Sequence, residues 1–267
     1  MMTADNIARK LTDSGFAFVP QDEMLGLMAK RAMLGWLDFA LTWENLPIDT
    51  FMADGGQYRR RRFAVYGAEG TQINRMAHQP HFQGRSFNRL NGGIKRWFDP
   101  VEAAAAENPF TIGLLTLCGQ LFGWATTGAA GQHEQHIELH QFRIEAASDF
   151  EGYPTPEGMH RDGVDWGCVT MIGRTNVQGG ETLIEDGRGA VVASVTLTEP
   201  LDTLFFNDRR IRHGVSAICR TEPARAGWRD VLVATGSAFA TSKDIEGHGC
   251  RYLAGSTGAG PESPCRF

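Results

Sequence analysis

At 267 residues, 42% of them apolar, the chain is long enough for one large domain with a sizeable core. Its 26 Lys and Arg against 31 Asp and Glu leave a net charge of −5, which gives no basis for a nucleic-acid or anionic-membrane partner. The cysteines (Cys118, Cys168, Cys219, Cys250 and Cys265) are scattered and lack any C-x-x-C spacing, so neither a zinc ribbon nor a disulfide framework is signalled. A reducing, cytoplasmic setting is expected. No apolar signal core opens the sequence, and no segment approaches the ~20 apolar residues of a membrane span.

Thr3 to Thr12 reads as a polar helix, and Gly15 to Val19 as a short strand ended by Pro20. From about Asp22, Leu27, Leu34, Leu37 and Leu41 recur at helical spacings and predict one packing helix with a single apolar stripe. Gly55-Gly56 turns the chain into Tyr58-Arg59-Arg60-Arg61-Arg62-Phe63, a strand in which two arginines face each way, which argues against a polyanion patch. Asp99-Pro100-Val101-Glu102 has the form of a capped helix start. Asn108-Pro109 opens another helix, with Leu114, Leu117, Cys118, Leu121 and Phe122 on one face; Gly123 and Gly128 to Gly131 are expected to end it. These helices carry no chemistry and read as a buttress.

From about Glu138 the pattern changes to short strands separated by Gly, Pro and Asp: 139–144, 166–172, 181–184, 191–197, 203–206, 211–218 and 231–234. The expected fold is α+β and mainly β, a double-stranded β-helix (jelly roll, cupin-like) buttressed by N-terminal helices. The expected organisation is one domain over 1–247, with the buttress at about 1–135 and the jelly roll at about 136–236, followed by a Gly-, Ser- and Pro-rich tail over 248–267.

Within that frame, Gly158-Met159-His160-Arg161-Asp162-Gly163 supplies a His-x-Asp pair, and Arg212-His213-Gly214 a second histidine. Two imidazoles and a carboxylate on one face of Fe(II), with open positions opposite, form a facial triad. Several strand-like pieces separate Asp162 from His213, enough for the chain to travel round a barrel and return. Gly214 would permit close approach beside His213. Each residue alone has an ordinary alternative: a loop histidine, an Asp-Gly turn, a core histidine. Order, spacing and strand context together favour the metal site.

Trp228 to Thr235 reads as a last apolar strand with Arg229 near its start. An interior arginine in a barrel needs an anion, and a guanidinium fork suits the far carboxylate of 2-oxoglutarate. The alternative is a salt bridge to Asp230, Glu181 or Asp186. Arg220 and Arg225 compete for the role from a loop-like, Pro-containing stretch.

The run from Pro156 to Asp165, with Gly179-Gly180-Glu181, Glu199 to Leu204, Asp208-Arg209-Arg210, His213-Gly214-Val215 and Arg229 to Val233, resembles the bacterial 2-oxoglutarate/Fe(II) dioxygenases that hydroxylate free amino acids, such as the isoleucine and leucine dioxygenases. The resemblance covers roughly Tyr58 to Thr235. It implies iron on His160, Asp162 and His213, oxoglutarate on Arg229, O2 as co-substrate, and a small amino-acid substrate of the isoleucine, leucine or methionine kind, with succinate and CO2 released. Substrate contacts are expected from Gln141 and Arg143, if that pair of the strand faces inward, and from Trp166, which could instead be core.

Two rivals are weaker. His133-Glu134-Gln135-His136-Ile137-Glu138-Leu139-His140 is a near miss to the H-E-x-x-H zinc-protease motif. A non-catalytic metal-binding jelly roll, in keeping with the biofilm- and stress-related branch of the resemblance, would not need both an intact triad and Arg229.

Overall fold

The computed structural model describes residues 2–127 and 134–238. The chain begins with α1 (Ala4–Asp13), β1 (Phe16–Val19), α2 (Gln21–Leu27), α3 (Lys30–Met33) and α4 (Trp36–Leu41). Next come β2 (Arg59–Glu69), β3 (Gln72–Arg75), β4 (His81–Phe82), β5 (Lys95–Arg96), α5 (Ala103–Ala106) and α6 (Pro109–Thr127). A run of strands follows: β6 (Glu134–Ala146), β7 (Trp166–Thr175), β8 (Val177–Gly179), β9 (Glu181–Glu185), β10 (Val191–Thr196), β11 (Thr203–Asn207), β12 (Arg212–Val215), β13 (Ile218–Arg220) and β14 (Gly227–Ala238).

The larger sheet has seven strands in the order β1-β11-β7-β14-β6-β2-β3; a smaller one runs β10-β9-β12, with β8 and β13 paired beside it. Alternation divides the large sheet into two faces. On one, Ile137, Leu139, Cys168, Leu232 and Ala234 pack against Phe110, Leu114, Cys118 and Phe122 of α6. On the other, Met171, Leu204, Phe206 and Val231 meet Ile184, Leu197 and Ile211 from the smaller-sheet side. This is the jelly roll with a helical buttress, mainly β. Among the described residues no helix is long and apolar enough to cross a membrane.

The Thr3 hydroxyl accepts from the Asn6 amide to cap α1, and the Asn108 side chain accepts from the Phe110 amide at the start of α6. The single helix expected from Asp22 is instead three short ones. Met28 and Ala29 are extended (ψ 135° and 137°), which resets the helical phase, so the leucine spacing no longer maps onto one face. Leu34, Leu37 and Leu41 are 84%, 77% and 65% exposed, while Met24, Ala32, Phe39 and Trp43 take the core positions.

Asp99 to Val101 are not helical either. Phe63 exchanges backbone hydrogen bonds with Asp99 and Val101, which holds them extended beside β2, and α5 starts after Glu102. α6 passes through Gly123; Gly128 to Gly131 and the tail over 248–267 lie outside the described residues. The strand expected over 211–218 is broken into β12 and β13, and β8 was not anticipated.

Candidate active site

His160 and His213 are joined by an isolated antiparallel bridge, in which each backbone amide donates to the other residue's carbonyl (2.9 and 3.0 Å). The bridge sets the two imidazoles side by side, 4.5 Å between centroids. Asp162 reaches both: Oδ1 lies 3.4 Å from His160 Nε2, and Oδ2 lies 3.8 Å from His213 Nε2. One ligand atom from each of the three residues falls within 4.8 Å of the others. Gly214 makes the crossing possible, because a Cβ there would come within 2.7 Å of Met159 Sδ and 3.2 Å of the Gly158 carbonyl.

The loop carrying His160 and Asp162 is held from below by Asp208. Its carboxylate accepts from the backbone amides of Asp162 (2.8 Å), Gly163 (2.8 Å) and Val164 (3.2 Å). Burial, with the Asp162 charge, nevertheless pushes the Asp208 carboxyl up to about 6.

Protonation follows the same contacts. His160 Nδ1 donates to the Gly158 carbonyl at 2.9 Å, which leaves Nε2 facing Asp162. Burial works against an imidazolium at His160, but Asp162 and the nearby Glu157 outweigh it and raise the group to about 9. His213 packs against Phe206 (4.5 Å between centroids), and burial together with the His160 charge lowers it to about 4. Asp162 is held down at about 2 by His160 and His213 despite its burial. By geometry the cluster sets a carboxylate between two imidazole edges, a donor set suited to Fe(II), whose arrival would displace the His160 proton. Glu157, whose Oε1 lies 3.7 Å from His160 Nε2, is an acidic neighbour that the sequence pattern did not single out.

The triad opens on a cavity of about 520 Å³ that Arg229 also lines. Arg229 is 2% exposed, and its Nε has no hydrogen-bond partner. Gly180 (φ +75°) leaves the guanidinium its room, since a Cβ there would lie 3.2 Å from Arg229 Cδ. None of the alternative salt bridges forms: Asp230 pairs with Arg143, Glu181 bonds Ser194, and Asp186 accepts from the Arg188 and Ala190 amides. Arg220 bonds the Pro223 carbonyl and Arg225 pairs with Glu222, both outside the cavity.

Gln141, Arg143 and Trp166 are not brought to this cavity. Gln141 donates to Thr42 on the helical side, and Arg143 forks onto Asp230 while also reaching Glu44. Trp166 stacks on Phe122 within the helix-facing core. The cavity-facing residues of β6 are the alternate set, His136, Glu138, His140, Phe142 and Ile144. Strand geometry also removes the zinc-protease reading, since His136 and His140 share a strand face rather than a helix face; His133 lies outside the described residues.

A sequence model described as 2OG-Fe dioxygenase matches residues 40–235. The chain belongs to the 2OG-Fe dioxygenase family. Fe(II), 2-oxoglutarate and O2 are accordingly its cofactor and co-substrates. The dioxygenase is similar to L-isoleucine-4-hydroxylase from Bacillus thuringiensis, 26% identical over 156 residues, or 58% of this chain. That match spans 64% of the hydroxylase's length, less than two thirds. Among solved structures it resembles a BsmA homologue from Methylobium petroleophilum (32% identity, TM-score 0.78, covering 89% of this chain and 94% of the other). It also shares the fold of IDO from Bacillus thuringiensis (19% identity, TM-score 0.74, covering 89% and 100%).

Sequence reasoning missed the rest of the polar cavity wall: Arg59 and Arg61 of β2, Arg96 of β5, His81 of β4, and Glu138 and His140 of β6. A usable signal was present in the alternation of Arg59 to Arg62. Arg59 and Arg61 are buried toward the cavity, whereas Arg60 and Arg62 turn outward to Glu145 and Glu102.

Proposed function

We propose that this dioxygenase hydroxylates a free aliphatic L-amino acid of the isoleucine, leucine or methionine kind, releasing succinate and CO2. His160, Asp162 and His213 would hold the iron, and Arg229 the far carboxylate of oxoglutarate, within one catalytic domain over 1–247. The observation that carries the reading is the buried Arg229 side chain, its Nε without a partner, in the same cavity as the triad. The similarity to L-isoleucine-4-hydroxylase supports the substrate class.

When bound, iron with oxoglutarate and O2 supplies an oxidant able to attack an unactivated C–H bond. The chain's own part is orientation and exclusion of water. Gly158 fixes the tautomer of His160, Asp208 fixes the loop that presents Asp162, and Arg229 fixes one end of the co-substrate by charge and shape. Val169, Leu204, Phe206, Val231 and Val233 give the cavity an apolar wall against which an aliphatic side chain can lie without water.

Protein supplied with Fe(II), ascorbate and oxoglutarate should release succinate faster with one member of an amino-acid panel, and that amino acid should gain the mass of one oxygen. Background succinate across isoleucine, leucine and methionine would favour a non-catalytic, stress-related metal-binding jelly roll instead.

A further inference from the structure

We infer that the wall built by β2, β5 and β6 is a head-group subsite for a zwitterionic α-amino acid, with Arg61 and Arg96 taking its carboxylate and Glu138 its ammonium. The inference rests on the amino-acid reading above and names the residues that would enforce it.

Register places the wall. Arg61 lies opposite Phe142, Phe63 opposite His140 and Val65 opposite Glu138, while Arg96 pairs with His81 on the short β4–β5 ribbon. Arg61 is clamped between aromatic faces, its guanidinium carbon 3.6 Å from the Phe98 centroid and 4.4 Å from that of Phe142. Its NH2 lies 2.6 Å from His140 Nδ1, yet its Nε has no partner. Arg96 is 2% exposed, sits 5.6 Å from the same Phe98 centroid, and its Nε also lacks a partner.

The nearby carboxylate, Asp49, is shared between two arginines. It takes both Arg59 Nε and NH2 at 2.7 Å and lies 3.6 Å from Arg61 NH1. Two buried guanidiniums therefore line the cavity with one nitrogen each left unbonded, an arrangement that costs desolvation until an anion arrives. Burial correspondingly lowers Arg96 to about 10.

Glu138 carries the opposite charge on the same wall. It accepts from His81 Nδ1 at 3.0 Å and has His136 Nε2 at 3.7 Å and His140 Nε2 at 3.9 Å. Burial opposes its ionisation, but this imidazole ring keeps the carboxyl well below the usual range. Burial pushes His81 and His140 the other way, lowering both, so the Glu138 carboxylate is the charge this part of the wall favours.

The ligand atoms of His81, Glu138 and His140 lie within 4.8 Å of one another, close enough for an ion. A lone dication there would meet the Arg61 guanidinium against His140. A zwitterion brings its own carboxylate to that guanidinium while its ammonium meets Glu138, so both charges are answered at once. The subsite adjoins the triad: Gln83, just past β4, donates to the Asp162 carbonyl at 2.9 Å.

The test uses the full chain loaded with Fe(II) and oxoglutarate. Calorimetric titration without O2, and turnover with O2, would compare the preferred amino acid with its N-acetyl, amide and des-amino forms. Each modified form should bind at least ~30-fold more weakly, as expected when one member of a buried charge pair is lost. Glu138→Gln should weaken the amino acid and shift preference toward the des-amino acid; Arg96→Met should raise KM more than it lowers kcat. Thermal melts would check that the variants fold, and the wild-type analogue series decides the matter if they do not. Equal binding of the N-acetyl or amide form overturns the subsite, even if succinate release upholds the hydroxylase. Glu138-dependent binding without succinate would do the reverse, and neither binding nor turnover would remove both. A second iron per chain that disappears in Glu138→Gln would assign the cluster to a metal and overturn the proposal.

Discussion

Arg143 and Arg229 are buried arginines on paired strands, one residue apart in register, yet they sit on opposite faces of the large sheet. On the helical face Arg143 forks onto Asp230 at 2.8 Å to both oxygens and reaches Glu44 at 2.9 Å. On the cavity face Arg229 has an Nε with no partner. Both are costly to desolvate, and only one is answered from within the chain. The helical face combines apolar packing with an arginine met by two carboxylates, Asp230 and Glu44. The cavity face keeps charges open: Arg61 Nε and Arg96 Nε are unpartnered there as well. The three guanidinium nitrogens left open on the cavity face are where the proposed ligands would supply a partner.

The largest effect should come from the cavity face. His160→Ala should bring turnover to background and reduce bound iron on metal analysis; unchanged activity would remove His160 from the ligand set. Arg143→Ala should instead act on stability, lowering it by ~3–5 kcal/mol by leaving Asp230 buried and unpaired. Denaturant unfolding would show this, with the oxoglutarate requirement of the surviving protein unaltered. Arg229→Ala should reverse that pattern, raising the oxoglutarate KM by the equivalent of ~2–5 kcal/mol. An unaltered KM would return the role to Arg220 or Arg225. Leu37→Ser should be almost silent, within about 0.5 kcal/mol in the same unfolding measurement, because that leucine lies on the solvent side of α4. A large loss would mean that α4 packs as the unbroken helix its leucine spacing suggested.

Much of the barrel was legible because alternation is local: β7, β9, β10, β11 and β14 all lie where apolar residues recur at short spacing between turn residues. His160, Asp162 and His213 could be named for a similar reason, since a His-x-Asp pair and a later histidine need only order and a returning chain. Which face of β6 looks inward was not legible. His140/Phe142 and Gln141/Arg143 are both mixed pairs, and the choice depends on Thr42, Glu44 and Asp230, distant in sequence. The leucine stripe misled because two extended residues at Met28 and Ala29 break the phase that periodicity assumes. His81 and Arg96 lie on strands of two residues, too short to carry a period.

Asp208 bears on the timing of metal capture. A loop organised by its metal is floppy when empty, and the ion must supply the free energy of ordering it. Here a carboxylate outside the ligand set already gathers three successive backbone amides around Asp162. The conformational entropy of that loop is surrendered when the chain folds, so iron held as proposed by His160, Asp162 and His213 would meet a finished receptacle and its binding energy would go into affinity.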